Sequence, residues 1–216
     1  GADVHIAGRD VKIINYYLNQ PALGQAPPQP DAPEPTRAAA AVHILHISDL
    51  HLGTRGDAQL YRTQLILDLR RELEIEKLHY LVISGDLTQR AQPSEFEAGL
   101  AFVLQVIKQM NLEAGRVIVV PGNHDVNLEA AQEAYEFIPT YKLSHPPREG
   151  LFIPAGEAGI LLRNETLYRR RFENFNQYFY RPLTGRDYPP DYGSQGEIIK
   201  FPNHRLLFLA VNSAWE

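Results

Sequence analysis

The sequence predicts an α/β fold in which mixed β-sheets are flanked by helices. Three short apolar runs are typical of buried strands, at residues 42–47, 80–83 and 117–120. Between them, apolar residues recur at helical spacing, so that strand and helix alternate along the chain. Because the three strands are almost continuously apolar, we expect both faces of their sheet to be covered, with helices on either side.

The segment before these strands divides into two parts. Residues 1–20 contain two short runs of alternating apolar residues around a Gly-Arg-Asp turn, which predicts a strand-like segment. Residues 21–41 contain six prolines and end in a run of alanines, the composition of an extended Pro/Ala-rich linker. The globular domain is predicted at residues 42–216. Because an isolated hairpin is marginal in water, residues 1–20 are open to two interpretations: a strand for self-association or a larger assembly, or an untethered tail.

Two helices are predicted between the three strands. The first covers residues 58–77. Its apolar positions include Leu60, Leu67 and Leu73. The second begins at a capping box formed by Ser94 and Glu97 and continues to Gln109. Both helices are expected to pack on the sheet through their apolar stripes.

The pattern is weaker beyond residue 126. The predicted elements there are a short helix at 128–135, a loop-rich segment at 140–159, a helical segment at 165–180, and a hairpin formed by residues 198–201 and 205–211.

The helical segment at 165–180 carries basic and aromatic residues whose role is open. Arg169, Arg170 and Arg171 could bind phosphate, but a solvated helix face is the favoured interpretation. The aromatic residues could stack on bases, although their helical spacing favours a packed face. Five histidines are interpreted as surface or half-buried side chains at strand edges: His5, His43, His46, His79 and His204.

The composition excludes several kinds of site. The 216-residue chain has no cysteine, which excludes disulfides, thiolate metal sites and cysteine nucleophiles. A formal net charge of -5 argues weakly against a large general nucleic-acid surface. No apolar stretch reaches the roughly 18 residues of a spanning helix, and a secretion signal is not recognisable. We therefore expect a cytoplasmic protein without membrane contact. Its start at Gly1 and its strand-like end at Glu216 are typical of a piece of a longer protein.

Polar residues that can bind metals follow each of the three strands. Asp49 and His51 are two residues apart, so on extended backbone their side chains point the same way and can chelate one ion. Asp86 follows a glycine and has two carboxylate oxygens that can bridge two ions. Asn123 offers a neutral carbonyl ligand, and His124 can face a leaving-group oxygen. The set predicts two divalent metals about 3.5–4 Å apart and phosphoester hydrolysis.

The motifs Asp-x-His, Gly-Asp and Gly-Asn-His-Asp resemble, in this order, those of the calcineurin-like metallophosphoesterase superfamily. The resemblance covers residues 42–127 and implies a sandwich of mixed β-sheets flanked by helices, of which the chain would hold the N-terminal part. It implies two divalent ions (manganese, iron, zinc or similar) bound by Asp49, His51, Asp86 and Asn123. It further implies His124 as the general acid, Asp125 as the residue that orients it, and Arg90 as a contact to phosphate or a support of the site.

The chain departs from the family pattern in one respect. Family members carry a further histidine after the next core strand and a later Gly-His-x-His motif, and neither is present here. His145 precedes the strand that ends at Val211, so chain order places His145 in a loop. We expect the missing ligands to follow Glu216 in a longer protein.

The resemblance implies a phosphodiesterase that acts on a nucleotide or nucleic-acid phosphodiester through a metal-activated hydroxide. Residues 85–96 resemble the bacterial cyclic-nucleotide phosphodiesterase branch, and residues 43–53 also resemble DNA-repair exonucleases of the superfamily. Because one metal core serves many substrates, two alternatives remain open: an exonuclease-like nuclease, and a non-catalytic or effector module of a multidomain assembly.

Overall fold

The computed structural model describes residues 2–6, 9–16, 42–145 and 147–214, and the predicted linker at 21–41 lies outside the described residues. The described strands are β1 (Ala2–Ile6), β2 (Arg9–Tyr16), β3 (Val42–Ile47), β4 (Tyr80–Ser84), β5 (Val117–Val120), β6 (Tyr135–Pro139), β7 (Phe152–Pro154), β8 (Gly159–Arg163), β9 (Glu197–Phe201) and β10 (Leu206–Ala210). The described helices are α1 (Arg55–Leu67), α2 (Pro93–Gln109), α3 (Leu128–Glu133), α4 (Glu165–Tyr168), α5 (Glu173–Phe175) and α6 (Arg181–Thr184).

Strands β1 to β5 are neighbours, in chain order, in one mixed sheet of the described residues. Strands β3, β4 and β5 are parallel, with Ile47 opposite Ile83 and Ile83 opposite Val119. Strand β2 pairs antiparallel with both β1 and β3. The predicted α/β class and the three predicted strands are confirmed. Because β3, β4 and β5 are parallel, their carboxyl ends lie at the same edge of the sheet.

The two faces of this sheet bury alternate residues against different partners. Leu45 and Leu81 belong to the main core, which is shared with helices α1 and α2. Tyr80 faces the other side, where the β9–β10 hairpin covers it, and its ring lies 4.6 Å from that of Phe201 between centroids. Each fully buried large apolar side chain contributes about 1.5–3 kcal/mol to stability. The predicted sandwich and the predicted hairpin are confirmed.

Helix α1 starts and ends earlier than predicted. Its N-terminus is set by Thr54, whose hydroxyl accepts a hydrogen bond from the Asp57 N–H (3.2 Å) while the Asp57 carboxylate accepts one from the Thr54 N–H (3.0 Å). The buried positions of α1 and the following π-helical turn (Asp68–Glu72) are Ala58, Leu65, Ile66 and Leu69. Leu60, predicted as apolar and inward, is 65% exposed, because it lies two residues away from this stripe.

Helix α2 begins one residue before the predicted capping box. Pro93 is its first residue, so Ser94 lies inside the first turn and does not cap the helix. Instead, the buried carboxylate of Glu95 accepts hydrogen bonds from the backbone N–H groups of Arg90 (2.9 Å) and Gln92 (3.1 Å). The end at Gln109 is as predicted. None of the described helices is long and apolar enough to cross a lipid bilayer.

A small antiparallel sheet, in the order β6-β8-β7, flanks the segment predicted to be loop-rich, residues 140–159, in which only β7 and the first residue of β8 are strand. The predicted helix at 128–135 ends at Glu133 as α3, and Tyr135 already starts β6. Pro139 and Pro154 are the last residues of β6 and β7, positions that tolerate the missing N–H. His145 is exposed in the loop before β7, as chain order predicts.

The segment after α4 buries most of its aromatic residues. Phe175 and Phe179 are at most 1% exposed, which confirms the packed aromatic face. Arg171 is 1% exposed, and its guanidinium lies 4.0 Å from the ring centroid of Tyr168. The expectation of a solvated helix face is therefore wrong for Arg171, because stacking on aromatic rings compensates its burial. Arg170 is exposed, in an ion pair with Glu173.

Half-buried histidines gather at the edge where the parallel strands begin. His43, His79 and His204 stack edge to face, with ring centroids 5.7 and 5.6 Å apart along the series. Burial lowers the pKa of His79, and the neighbouring His43 and His204 lower it further, as do Lys77 and Arg116. The interpretation of these histidines as half-buried side chains is confirmed, and His5 lies where no side chain is described.

Candidate metal centre

Three loops meet where the parallel strands end. Asp49 and His51 follow β3, Asp86 follows β4, and Asn123 and His124 form a short 3-10 turn (Asn123–Asp125) after β5. The backbone pairing of β3 with β4 continues into these loops, since the Asp49 N–H donates to the Gly85 carbonyl (3.3 Å) and the His51 N–H to the Asp86 carbonyl (2.9 Å). The polar residues are therefore held side by side by main-chain hydrogen bonds.

The same loops contain strained backbone. Asp49, His51 and Asp86 have φ values of 55°, 45° and 52°, in the left-handed region that costs side-chain-bearing residues about 1–2 kcal/mol each. Such strain persists where the surrounding structure imposes it, and it is frequent at functional sites. These turns place the three side chains at the edge of the sheet instead of continuing the strands.

Two glycines allow the second and third loops to touch. A Cβ atom built on Gly85 would lie 2.8 Å from the Gly122 Cα, and a Cβ built on Gly122 would lie 2.2 Å from Asp86 Oδ1. Both separations are too short for real atoms, so no larger residue fits without moving the loops. This close approach lets Asp86 Oδ1 accept a hydrogen bond from the His124 N–H (2.9 Å).

The side chains of His51, Asp86 and His124 form a cluster in which one ligand atom from each lies within 4.8 Å of the others. The rings of His51 and His124 stand edge to face, with centroids 4.5 Å apart. His51 Nδ1 is buried and has no hydrogen-bond partner among the described residues. A buried nitrogen without a partner is costly in a protein, and a metal ion would satisfy it.

The donor set fits a divalent metal. Imidazole nitrogen and carboxylate oxygen are ligands of zinc, iron and manganese, and the orphaned His51 nitrogen marks where one of them would bind. The structure brings His51 and Asp86 together as predicted. Asp49 and Asn123 lie exposed in the adjoining loops, and the cluster of acidic and imidazole groups includes His124 but not Asp49.

The structure gives Asp125 a role in connecting two of the loops. Its carboxylate is 1% exposed and accepts hydrogen bonds from the backbone N–H groups of Leu87 (3.2 Å), Thr88 (2.9 Å) and Gly122 (3.0 Å). Burial raises the pKa of the Asp125 carboxyl, and these hydrogen bonds oppose the increase. Asp125 thus ties the second loop to the third, and its role in orienting the His124 ring stays a prediction.

The ring of His124 is oriented by a main-chain carbonyl. Its Nδ1 lies 3.0 Å from the carbonyl oxygen of Gln89, which can only accept a hydrogen bond, so Nδ1 carries a proton and Nε2 is the free position. Thr88, fully buried, supports this arrangement through a hydrogen bond from its hydroxyl to the His124 carbonyl (2.9 Å). Sequence reasoning missed both contacts, although both residues belong to the Gly-Asp stretch.

A cavity of about 470 Å³ adjoins this cluster, and its walls include Asn123 and His124. Arg90, predicted to support the site or contact phosphate, is exposed and lines the same cavity. Its backbone N–H is bound by Glu95 (2.9 Å), so the position of the residue is defined by the start of α2.

A family model described as calcineurin-like phosphoesterase matches residues 42–209 of the chain. The matched range includes all three loops and the strands from β3 to β9, and it ends within β10. A search of curated proteins found no match.

Proposed function

Because the chain belongs to the calcineurin-like phosphoesterase family, we propose that it hydrolyses a nucleotide or nucleic-acid phosphodiester with a pair of divalent ions. The observation that carries this proposal is the convergence of His51, Asp86 and His124 on one point. Family membership supports metal-dependent phosphoester hydrolysis, and the proposal narrows the substrate to diesters and the ions to two.

The metal-binding residues are assigned from their place in the three loops. The ions would be bound by His51 and Asp86 and, from the adjoining loops, by Asp49 and Asn123. When bound, such ions supply the Lewis acidity that activates water and neutralises phosphoryl charge. One oxygen of Asp86 accepts a hydrogen bond from the His124 N–H (2.9 Å), which fixes the orientation of the carboxylate.

His124 is the proton donor in this proposal. Its Nδ1–H is bound by the Gln89 carbonyl, so the working proton sits on Nε2 of the imidazolium. In the reaction, a water oxygen bonds to phosphorus and the water releases a proton to solvent. The ester P–O bond breaks, and the leaving oxygen takes the Nε2 proton, which solvent then restores. General acid catalysis of this kind contributes about 10²–10⁴-fold.

The test uses the full-length protein, stripped of metal with a chelator and then titrated with manganese, zinc or magnesium. Hydrolysis is measured on bis(p-nitrophenyl) phosphate, 3′,5′-cyclic nucleotides, single- and double-stranded DNA, and the monoester p-nitrophenyl phosphate. We expect metal-dependent hydrolysis of at least one diester. Asp86→Asn should remove it, whereas Asp191→Asn, an exposed aspartate in a surface ion pair, should not.

Each substrate decides between the proposal and an alternative. Degradation of DNA without turnover of cyclic nucleotides would indicate the nuclease interpretation. Turnover of the monoester alone would refute the diester assignment. Stoichiometric metal binding without hydrolysis of any ester would indicate a non-catalytic module.

A further inference from the structure

We propose that the cavity beside His124 binds the leaving group of the diester, and that this group is a nucleoside contacted by the side-chain amides of Gln89, Gln92 and Asn127. The inference rests on the proposed function and adds to it the site that binds the leaving group. The cavity measures about 470 Å³, within the range of roughly 300–1,000 Å³ typical of pockets for small organic ligands.

The cavity lies next to His124, the residue that protonates the leaving group in this proposal. A general acid must lie within hydrogen-bond distance of the oxygen that it protonates. The ring of His124 is fixed at Nδ1 by Gln89 and forms part of the cavity wall. A group whose oxygen is protonated by His124 therefore sits in or against this cavity.

The walls of the cavity are held by internal hydrogen bonds. On one side, Glu95 binds the backbone N–H groups of Arg90 and Gln92. On the other side, Asn127 Oδ1 caps α3 through the Ala130 N–H (3.2 Å), and the Asn127 N–H donates to the buried Arg171 carbonyl (2.9 Å). Since the backbone on both sides is already satisfied, the cavity is pre-formed, which lowers the entropic cost of binding.

The chemistry of the walls favours a neutral, hydrogen-bonding ligand. Apart from His124, whose proton goes to the leaving oxygen, the charged residues of the cavity are Arg90 and Glu129, one of each sign, so no further cation is present for a second phosphate group. Four of its nine lining residues carry a carboxamide: Gln89, Gln92, Asn123 and Asn127. A carboxamide presents a donor and an acceptor side by side, which is the pattern on the edge of a nucleobase. Leu128, 64% exposed, adds an apolar surface for the face of the base.

The experiment compares substrates that differ in their leaving group. The dinucleotide TpT releases a nucleoside, whereas the aryl diester thymidine 5′-(p-nitrophenyl phosphate) keeps its nucleoside on phosphorus and releases p-nitrophenol. We expect Gln92→Ala to raise KM for TpT about tenfold or more relative to KM for the aryl diester, because an amide–base contact is lost. The matched control is Gln132→Ala, an exposed glutamine of α3 outside the cavity, which should change neither KM. An equal change of both KM values in Gln92→Ala would overturn the inference.

A binding measurement separates this inference from the proposed function. In ¹⁵N-labelled protein, thymidine or adenosine should shift the side-chain amide signals of Gln89 and Gln92, and inorganic phosphate alone should not. Diester hydrolysis without these shifts at millimolar nucleoside would overturn the inference and leave the proposed function intact. Nucleoside binding without any diester hydrolysis would overturn the proposed function, and the assignment to a leaving group with it.

Discussion

Replacing Gly122 with alanine tests whether the metal centre depends on the contact between its second and third loops. The new Cβ would lie 2.2 Å from Asp86 Oδ1 and 2.4 Å from the Asp86 backbone nitrogen. An ordinary contact needs at least 3.4 Å, so the two loops must separate by about 1 Å. Gly122 has a φ of −101°, which alanine adopts freely, so the clash is the only expected cause of any effect.

The magnitude follows from where the clash falls. Because one of the clashing atoms is the backbone nitrogen of Asp86, rotation of the Asp86 side chain cannot relieve the clash. Overpacking of this kind costs about 1–3 kcal/mol, which lowers the Tm by roughly 2–12 °C in a chain of this size. Metal sites tolerate displacements of about 0.2 Å in their ligands, so a shift of Asp86 should weaken metal binding at least about tenfold, or 1.4 kcal/mol.

The assay is calorimetric. The Tm is measured in EDTA, and manganese affinity is measured by titration of the metal-free chain. Gly115→Ala is the matched control, because a Cβ at Gly115 meets no atom within 4 Å. If Gly122→Ala kept both the Tm and the manganese affinity of the control, the close packing of the two loops would not support the site, and the argument would be refuted.

Three further substitutions test other parts of the structure. Asp125→Asn replaces an acceptor of backbone hydrogen bonds by a group that is partly a donor, so each N–H left unpaired should lower the free energy of unfolding by about 1–3 kcal/mol. The Tm should therefore be lower than in the surface control Asp191→Asn. An unchanged Tm would contradict the role of Asp125 in connecting the two loops. His124→Gln should lower kcat about 10²–10⁴-fold and leave manganese binding intact, whereas loss of metal would identify His124 as a ligand and not the acid. Because the pKa of His79 is lowered in the folded state, the unfolded chain binds more protons as the pH falls below about 6.5. Stability should therefore drop between pH 7 and 5, less steeply in His79→Gln than in the control His145→Gln, and equal slopes would exclude this contribution.

The core strands are predictable because burial on both faces leaves a continuous apolar run. The helix boundaries are harder to predict, since the same short pattern can form a cap or lie inside a turn. Thr54 caps α1 with Asp57, whereas Ser94 has a similar spacing to Glu97 and is an ordinary first-turn residue. The sheet of β6, β7 and β8 escapes prediction because its strands span only three to five residues and expose much of their surface.

The sequence by itself determines that polar residues from three loops meet at one edge of the sheet. Parallel strands bring their carboxyl ends to one edge, so polar residues directly after β3, β4 and β5 must lie close together. Only the tertiary structure decides how they are held there. The Asp125 carboxylate accepts its hydrogen bonds from the loop after β4. The imidazole of His124 is hydrogen-bonded to the carbonyl of Gln89, 35 residues away in sequence. Such pairings depend on the path of loops with left-handed residues and on two glycines in contact, and no local periodicity encodes that path.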